Sequence, residues 1–180
     1  MFSKILLLAF SGTLLAAAAP SAASASLQPI RPVLAPLQIL TLTTFAPSGR
    51  PNSFPTESSV NISASDPNSN TVIACATKWP VFEDATIWNR INPCSESSGA
   101  AKGSRWTFQL LTPTASGNGA SPLWNFRVHF AHETEKGLYA ATGKFGVEDG
   151  NLSGLCSASG VCSFVLKGDN VTVPLYKVER

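Results

Sequence analysis

Trp124-Asn125-Phe126-Arg127-Val128-His129-Phe130 carries a bulky apolar side chain at every second position, and Trp106-Thr107-Phe108-Gln109-Leu110 shows the same alternation earlier in the chain. Successive side chains of an extended strand point to opposite faces, so both stretches read as strands with one buried and one wet face. On that reading Trp106 and Trp124 belong to the core. Similar runs occur at Gln38 to Phe45, Ser58 to Ser63, Thr71 to Thr77, Leu138 to Phe145, Val161 to Leu166 and Val171 to Val178. Turn clusters separate them, among them Pro47-Ser48-Gly49, Asp66-Pro67-Asn68, Gly117-Asn118-Gly119, Lys136-Gly137 and Asp149-Gly150. The segment from Trp79 to Ile91 has no clear period and reads as an ordered loop.

The expected fold is therefore all-β, a compact antiparallel β-barrel or β-sandwich of about eight or more strands, because short half-apolar strands need closure or a second sheet to cover their faces. Composition agrees. The 180 residues include 13 Gly, 13 Pro and one Met, which suits a loop-rich β protein better than a helical bundle. A net charge of +2, with the basic residues scattered, gives no electrostatic footprint for nucleic acid.

The first residues read as an export signal. Lys4 supplies the positive start, Ile5 to Phe10 and Leu14-Leu15 the apolar region, and Ala16 to Ser26 the small residues. Cleavage after Ala19 would leave Pro20 first, so a cut after Ala25 is preferred, making residues 1–25 the signal peptide. No retained membrane span is expected, since the apolar run is interrupted by Ser11-Gly12-Thr13. Pro29, Pro32 and Pro36 make residues 26–36 an extended lead-in, and residues 37–180 form the single β domain.

Export places Cys75, Cys94, Cys156 and Cys162 in an oxidising compartment, where they are expected to pair. Of the three connectivities, pairing of neighbours closes the shortest loops, giving Cys75 with Cys94 and Cys156 with Cys162. The spacing is poor for zinc, so no metal is expected. Asn61-Ile62-Ser63, Asn151-Leu152-Ser153 and Asn170-Val171-Thr172 are candidate glycan acceptors. Asn61 and Asn170 lie in strand-like sequence, whereas Asn151 follows the Asp149-Gly150 turn and reads as the most accessible.

His129 and His132 form the one cluster with catalytic potential, but three residues apart on a strand they point to opposite faces. No strained Gly-x-Ser-x-Gly turn and no phosphate-cradling glycine loop is present. A catalytic role and a cofactor are not expected. Trp79, Phe82 and Trp88 fall in the aperiodic segment and are the candidate contact surface, with Pro113 to Pro122 as a second contact loop.

The chain also resembles the fungal secreted domain family typified by the Alternaria major allergen, which includes elicitors of plant defence. The likeness rests on Thr71-Val72-Ile73-Ala74-Cys75, Trp88 before Cys94, Trp106-Thr107-Phe108, and the Gly154-Leu155-Cys156 to Gly160-Val161-Cys162 hairpin, and spans Leu37 to Val178. The resemblance implies a two-sheet β-barrel, the same two disulfides, and a non-enzymatic role in the apoplast or cell wall, binding a host extracellular protein or cell-wall component. The allergen's additional, subunit-linking cysteine has no counterpart, so no covalent dimer is expected. Two other readings stand beside this one: a secreted carbohydrate-active hydrolase or lectin-like module, and a barrel carrier of a small hydrophobic or phenolic ligand.

Overall fold

The computed structural model describes residues 34–48, 56–81, 83–96, 103–113, 120–169 and 171–179. The expected signal peptide, most of the proline-rich lead-in, Phe82, Asn170 and the centre of the 113–122 loop lie outside these residues.

Long alternating segments become long strands. β1 (Leu37–Ala46), β2 (Glu57–Asp66) and β3 (Thr71–Pro80) form consecutive antiparallel neighbours. β4 (Asn92–Glu96) and β5 (Arg105–Leu111) follow, then the hairpin of β6 (Asn125–Thr134) and β7 (Gly137–Gly146). β8 (Leu152–Cys156) and β9 (Cys162–Leu166) form a second hairpin, and β10 (Val171–Val173) and β11 (Leu175–Val178) end the fold. All pairings between these strands are antiparallel, and the sheet curls into a half-barrel in the order β11-β7-β6-β5-β4-β3-β2-β1-β9-β8, with β10 pairing β1. The all-β fold is as expected.

Pro174 explains the last two strands, which the sequence reading joined into one. Proline cannot donate a ladder hydrogen bond. The chain therefore changes partner there: Val171 to Val173 pair with β1, and Leu175 to Val178 pair with β7. This short segment connects the two ends of the curl.

Period two places the core. Ile73, Cys75, Thr77 and Trp79 of β3 point inward, as do Trp106, Phe108 and Leu110 of β5 and Phe126, Val128 and Phe130 of β6. Phe126 and Phe145 pack with ring centroids 6.0 Å apart, within the range that favours offset aromatic pairs.

Both disulfides join residues directly opposite in a ladder. Cys75 faces Cys94 across β3 and β4, and Cys156 faces Cys162 at the end of the β8–β9 hairpin. Among the described residues no free cysteine occurs and no helix is long and apolar enough to cross a membrane.

The segment expected as a loop from Trp79 to Ile91 is different. β3 runs on through Pro80, and a single 3-10 turn covers Asp84 to Thr86. The alternation of Thr71 to Thr77 simply continues to Trp79, whose outward neighbours are Lys78 and Pro80.

Candidate functional site

Two surface features collect the chemically capable residues. The first is a pocket of about 410 Å³ at the end of the half-barrel where the β2–β3 and β6–β7 turns lie. Its wall is built on His132, the inward position that follows Phe126, Val128 and Phe130 on β6.

The cross-strand partners of His132 are Trp106 on β5 and Tyr139 on β7. Its ring lies against the Trp106 indole with centroids 4.1 Å apart and planes 15° from parallel, while Tyr139 tilts at 6.2 Å. Ser104 stands just before β5, after Gly103, which has φ 83°. That left-handed conformation favours glycine because it carries no Cβ. Ser104 Oγ lies 2.8 Å from His132 Nε2. On the other side of the ring, Nδ1 is 3.9 Å from Asp66 Oδ2. Burial holds the His132 pKa below its usual value, opposed by the negative charges of Asp66 and Glu96. In the tautomer protonated on Nδ1, Nε2 accepts a hydrogen bond from the Ser104 hydroxyl and the ring N–H faces the carboxylate.

A serine, a histidine and an aspartate thus converge, in a pocket that sequence spacing did not reveal. The arrangement departs from a nucleophilic triad at the carboxylate. A triad needs an acid hydrogen-bonded to the base to fix its orientation. Here 3.9 Å is beyond hydrogen-bond reach. Asp66 instead organises its own turn. Oδ1 accepts from the Asn68 backbone N–H at 2.9 Å and from Asn68 Nδ2 at 2.8 Å, and Oδ2 accepts from Ser69 Oγ at 2.6 Å. Asn68 in turn exchanges two hydrogen bonds with the backbone of Ala35, clipping the start of the described chain to this turn. The cluster is a part-buried polar network, with Asp66 and His132 inside and Asn68 and Ser69 at the surface, that shapes one wall of the pocket.

Two buried polar atoms of residues that act on His132, Glu96 Oε2 and Trp106 Nε1, have no hydrogen-bond partner among the described residues. Among the described residues no group of three or more His, Cys, Asp or Glu is placed to hold a metal ion.

The second feature is an exposed aromatic surface beside the β8–β9 hairpin. Trp124 is 39% exposed, against the expectation that it is buried with Trp106. The inward series of β6 starts at Phe126, and Trp124 lies before the strand in a turn pinned by reciprocal backbone hydrogen bonds between Ser121 and Asn125. Thr44 Oγ1 donates to the Leu123 carbonyl at 2.8 Å, and the Val147 N–H donates to the Trp124 carbonyl at 3.1 Å. The indole leans on Phe164 at 5.9 Å and, with Val147 and Cys156, lines a shallow apolar groove. Val147 and Leu155 are also exposed.

The expected contact surface is not confirmed. Trp79 is 1% exposed, and its Nε1 donates to Asp84 Oδ1 at 2.7 Å, so it is a core residue. Trp88 is half-buried and packs against the core beside Leu110. Phe82 is outside the described residues. As expected from strand geometry, the two histidines are on opposite faces: His129 Nδ1 meets Thr142 Oγ1 at 2.9 Å on the outer side.

The two asparagine acceptors among the described residues also separate. Asn61 is exposed in the middle of β2. Asn151, expected as the most accessible, is half-buried, with both amide atoms bonded to the backbone. No family model, curated protein or solved structure matches the chain.

Proposed function

We propose that the chain is a secreted protein that acts by binding, without catalysis, to a host extracellular protein or a cell-wall component in the apoplast. The observation that carries this reading is the Trp124 surface. An indole held by a fixed turn and backed by Phe164 offers a large contact area at small cost in conformational entropy. The Cys156–Cys162 bridge lies in the same groove and stiffens it. The Ser104, His132 and Asp66 network lacks the orienting hydrogen bond on which a hydrolase depends. Two disulfides and the absence of a membrane-crossing helix among the described residues are compatible with an extracellular site. The resemblance to the Alternaria-allergen-like family supplies the setting, modulation of plant immunity as an effector or elicitor.

The pocket beside His132 favours one further reading, a carrier of a small ligand. Its volume of about 410 Å³ lies within the range of small-molecule sites, and Leu34, Tyr139 and Leu175 contribute apolar wall.

The test is capture from plant apoplastic fluid on immobilised, disulfide-bonded protein, compared with Trp124→Ala and with reduced protein. A partner retained by the unaltered chain and lost with Trp124→Ala supports the binding surface. Equal capture by both forms overturns it, and hydrolysis of a polysaccharide or ester that disappears in Ser104→Ala overturns the non-catalytic reading.

A further inference from the structure

We propose that the secreted chain carries an N-linked glycan on Asn61 and none on Asn151, an inference that rests on the export reading. Both residues stand in acceptor sequences, Asn61-Ile62-Ser63 and Asn151-Leu152-Ser153, so the local sequence does not distinguish them. Their folded surroundings do.

In the transfer step an oligosaccharide passes from a lipid pyrophosphate donor to the asparagine Nδ2. The bond from the sugar C1 to the pyrophosphate oxygen breaks, a C1–N bond forms, Nδ2 gives up one proton, and the lipid pyrophosphate leaves. The product amide keeps a single N–H and carries a pyranose ring. A chain so modified reaches the medium only if its fold accommodates that ring.

Asn151 is held on both sides of its amide. Its Nδ2 donates to the Lys144 carbonyl at 2.8 Å, its Oδ1 accepts from the Gly146 N–H at 2.9 Å, and its own carbonyl accepts from the Lys167 N–H at 2.9 Å. The side chain therefore acts as a strut joining the end of β7 to the start of β8, and the residue is half-buried. A ring on Nδ2 leaves that nitrogen one N–H, so the sugar is accommodated only if that N–H keeps the Lys144 carbonyl while Oδ1 keeps the Gly146 N–H; any shift of the side chain gives up one exposed and one part-buried hydrogen bond.

Asn61 is the opposite case. It points outward in the middle of β2, between Thr43 on β1 and Ala76 on β3, its directly opposite cross-strand neighbours. Both neighbours are small and exposed, and the next outward residues along its own strand are Ser59 and Ser63. The nearest charged groups on this outer face are Lys78, diagonal to Asn61 on β3, and Glu57, and these pair with each other at 3.7 Å. Strand pairing uses the backbone alone, so the ladder is unaffected by a substituent on the outward amide. A glycan here covers the small outward side chains Thr43, Ser59, Ser63 and Ala76 on a solvent-facing part of the half-barrel wall.

The full chain, its first residues included, is produced in a eukaryotic secretory host and collected from the medium with its disulfides intact. Peptides are treated with peptide N-glycosidase, which converts a glycosylated asparagine to aspartate and so marks the site by mass. The expected result is conversion at Asn61 in most secreted chains, none at Asn151, and complete loss of the Asn61 mark in Asn61→Gln with secretion retained. A bare Asn61, or a marked Asn151, in disulfide-bonded protein from the medium overturns the proposal while leaving export intact. A chain retained in the cell with its first residues uncut overturns the export reading and this proposal with it. Glycan at Asn170 is mapped on a separate peptide and does not enter either result.

Discussion

The imidazole of His132 lies flat on the indole of Trp106, centroids 4.1 Å apart, with Ser104 on one ring nitrogen and Asp66 facing the other. A histidine enclosed in this way resists protonation, because burial disfavours the charged ring more than Asp66 and Glu96 favour it.

The consequence is a pH-dependent stability of definite sign. The folded pKa of His132 is below the unfolded value of about 6.5, so at mildly acid pH the unfolded chain binds more protons. The stabilisation is complete above that pH and declines as the pH falls through 6.5 toward the folded pKa. His129 adds in the same direction, its pKa also being lowered by burial. Urea unfolding at pH 7.5 and pH 5.5 should show lower stability at the acid value, with a slope of up to about 1.4 kcal/mol per pH unit for each histidine. His132→Gln should flatten the dependence, and an unchanged slope in that variant would count against the assignment.

Ser104→Ala removes the hydroxyl that pairs with Nε2 and leaves a buried ring nitrogen unsatisfied. The expected loss is about 1–3 kcal/mol in unfolding free energy, read from the midpoint of denaturant unfolding with an unchanged m-value. Ser104→Thr keeps the hydroxyl and should recover part of the loss.

Most of the fold was legible in the sequence because it is a matter of period. Alternation over Thr71 to Thr77, Arg105 to Leu111 and Leu123 to Ala131 located β3, β5 and β6 and their buried faces. The errors came at strand ends, where period alone does not say where a strand stops. Stopping at Thr77 released Trp79 into an imagined loop, although it shares the inward parity of Ile73 and Cys75. Extending the alternation back to Trp124 draws that residue into the core, although a turn precedes Asn125. β4 and β8 were missed because Asn92-Pro93-Cys94-Ser95-Glu96 and Leu152-Ser153-Gly154-Leu155-Cys156 carry little β-branched or aromatic signal. The His132 pocket is illegible for another reason: Asp66 at the end of β2 meets Ser104, just before β5, and His132 on β6 only because the sheet curls, β2 being separated from the β5–β6 pair by β3 and β4. One signal was available, since His132 continues the inward series of Phe126, Val128 and Phe130.

The two disulfides should contribute unequally. Cys75–Cys94 spans 19 positions and Cys156–Cys162 spans 6. On the chain-entropy estimate the longer loop is worth about 3 kcal/mol and the shorter about 2 kcal/mol. Replacing Cys75 and Cys94 by alanine together should therefore lower stability more than replacing Cys156 and Cys162. The second pair should instead weaken partner capture, because its bridge lies in the Trp124 groove. Chemical unfolding and the capture assay, run on both double variants, check the two effects separately.

The four tryptophans give the sharpest contrast between scaffold and surface. Trp79 is 1% exposed and donates to Asp84, so Trp79→Ala removes a large core side chain and strands an acceptor. The expected cost is about 3–5 kcal/mol, a large share of the stability of an ordinary domain. Trp124 is 39% exposed and meets Phe164 at its edge, so Trp124→Ala forfeits chiefly one aromatic contact, about 0.5–1.5 kcal/mol. Fluorescence gives an independent reading: added iodide should quench emission from Trp124 and leave that from Trp79 and Trp106 largely untouched, so quenching should fall sharply in Trp124→Phe. A Trp124→Ala protein that fails to fold, or a Trp79→Ala protein of native stability, would reverse the roles assigned to these two side chains and return the contact surface to the segment after β3.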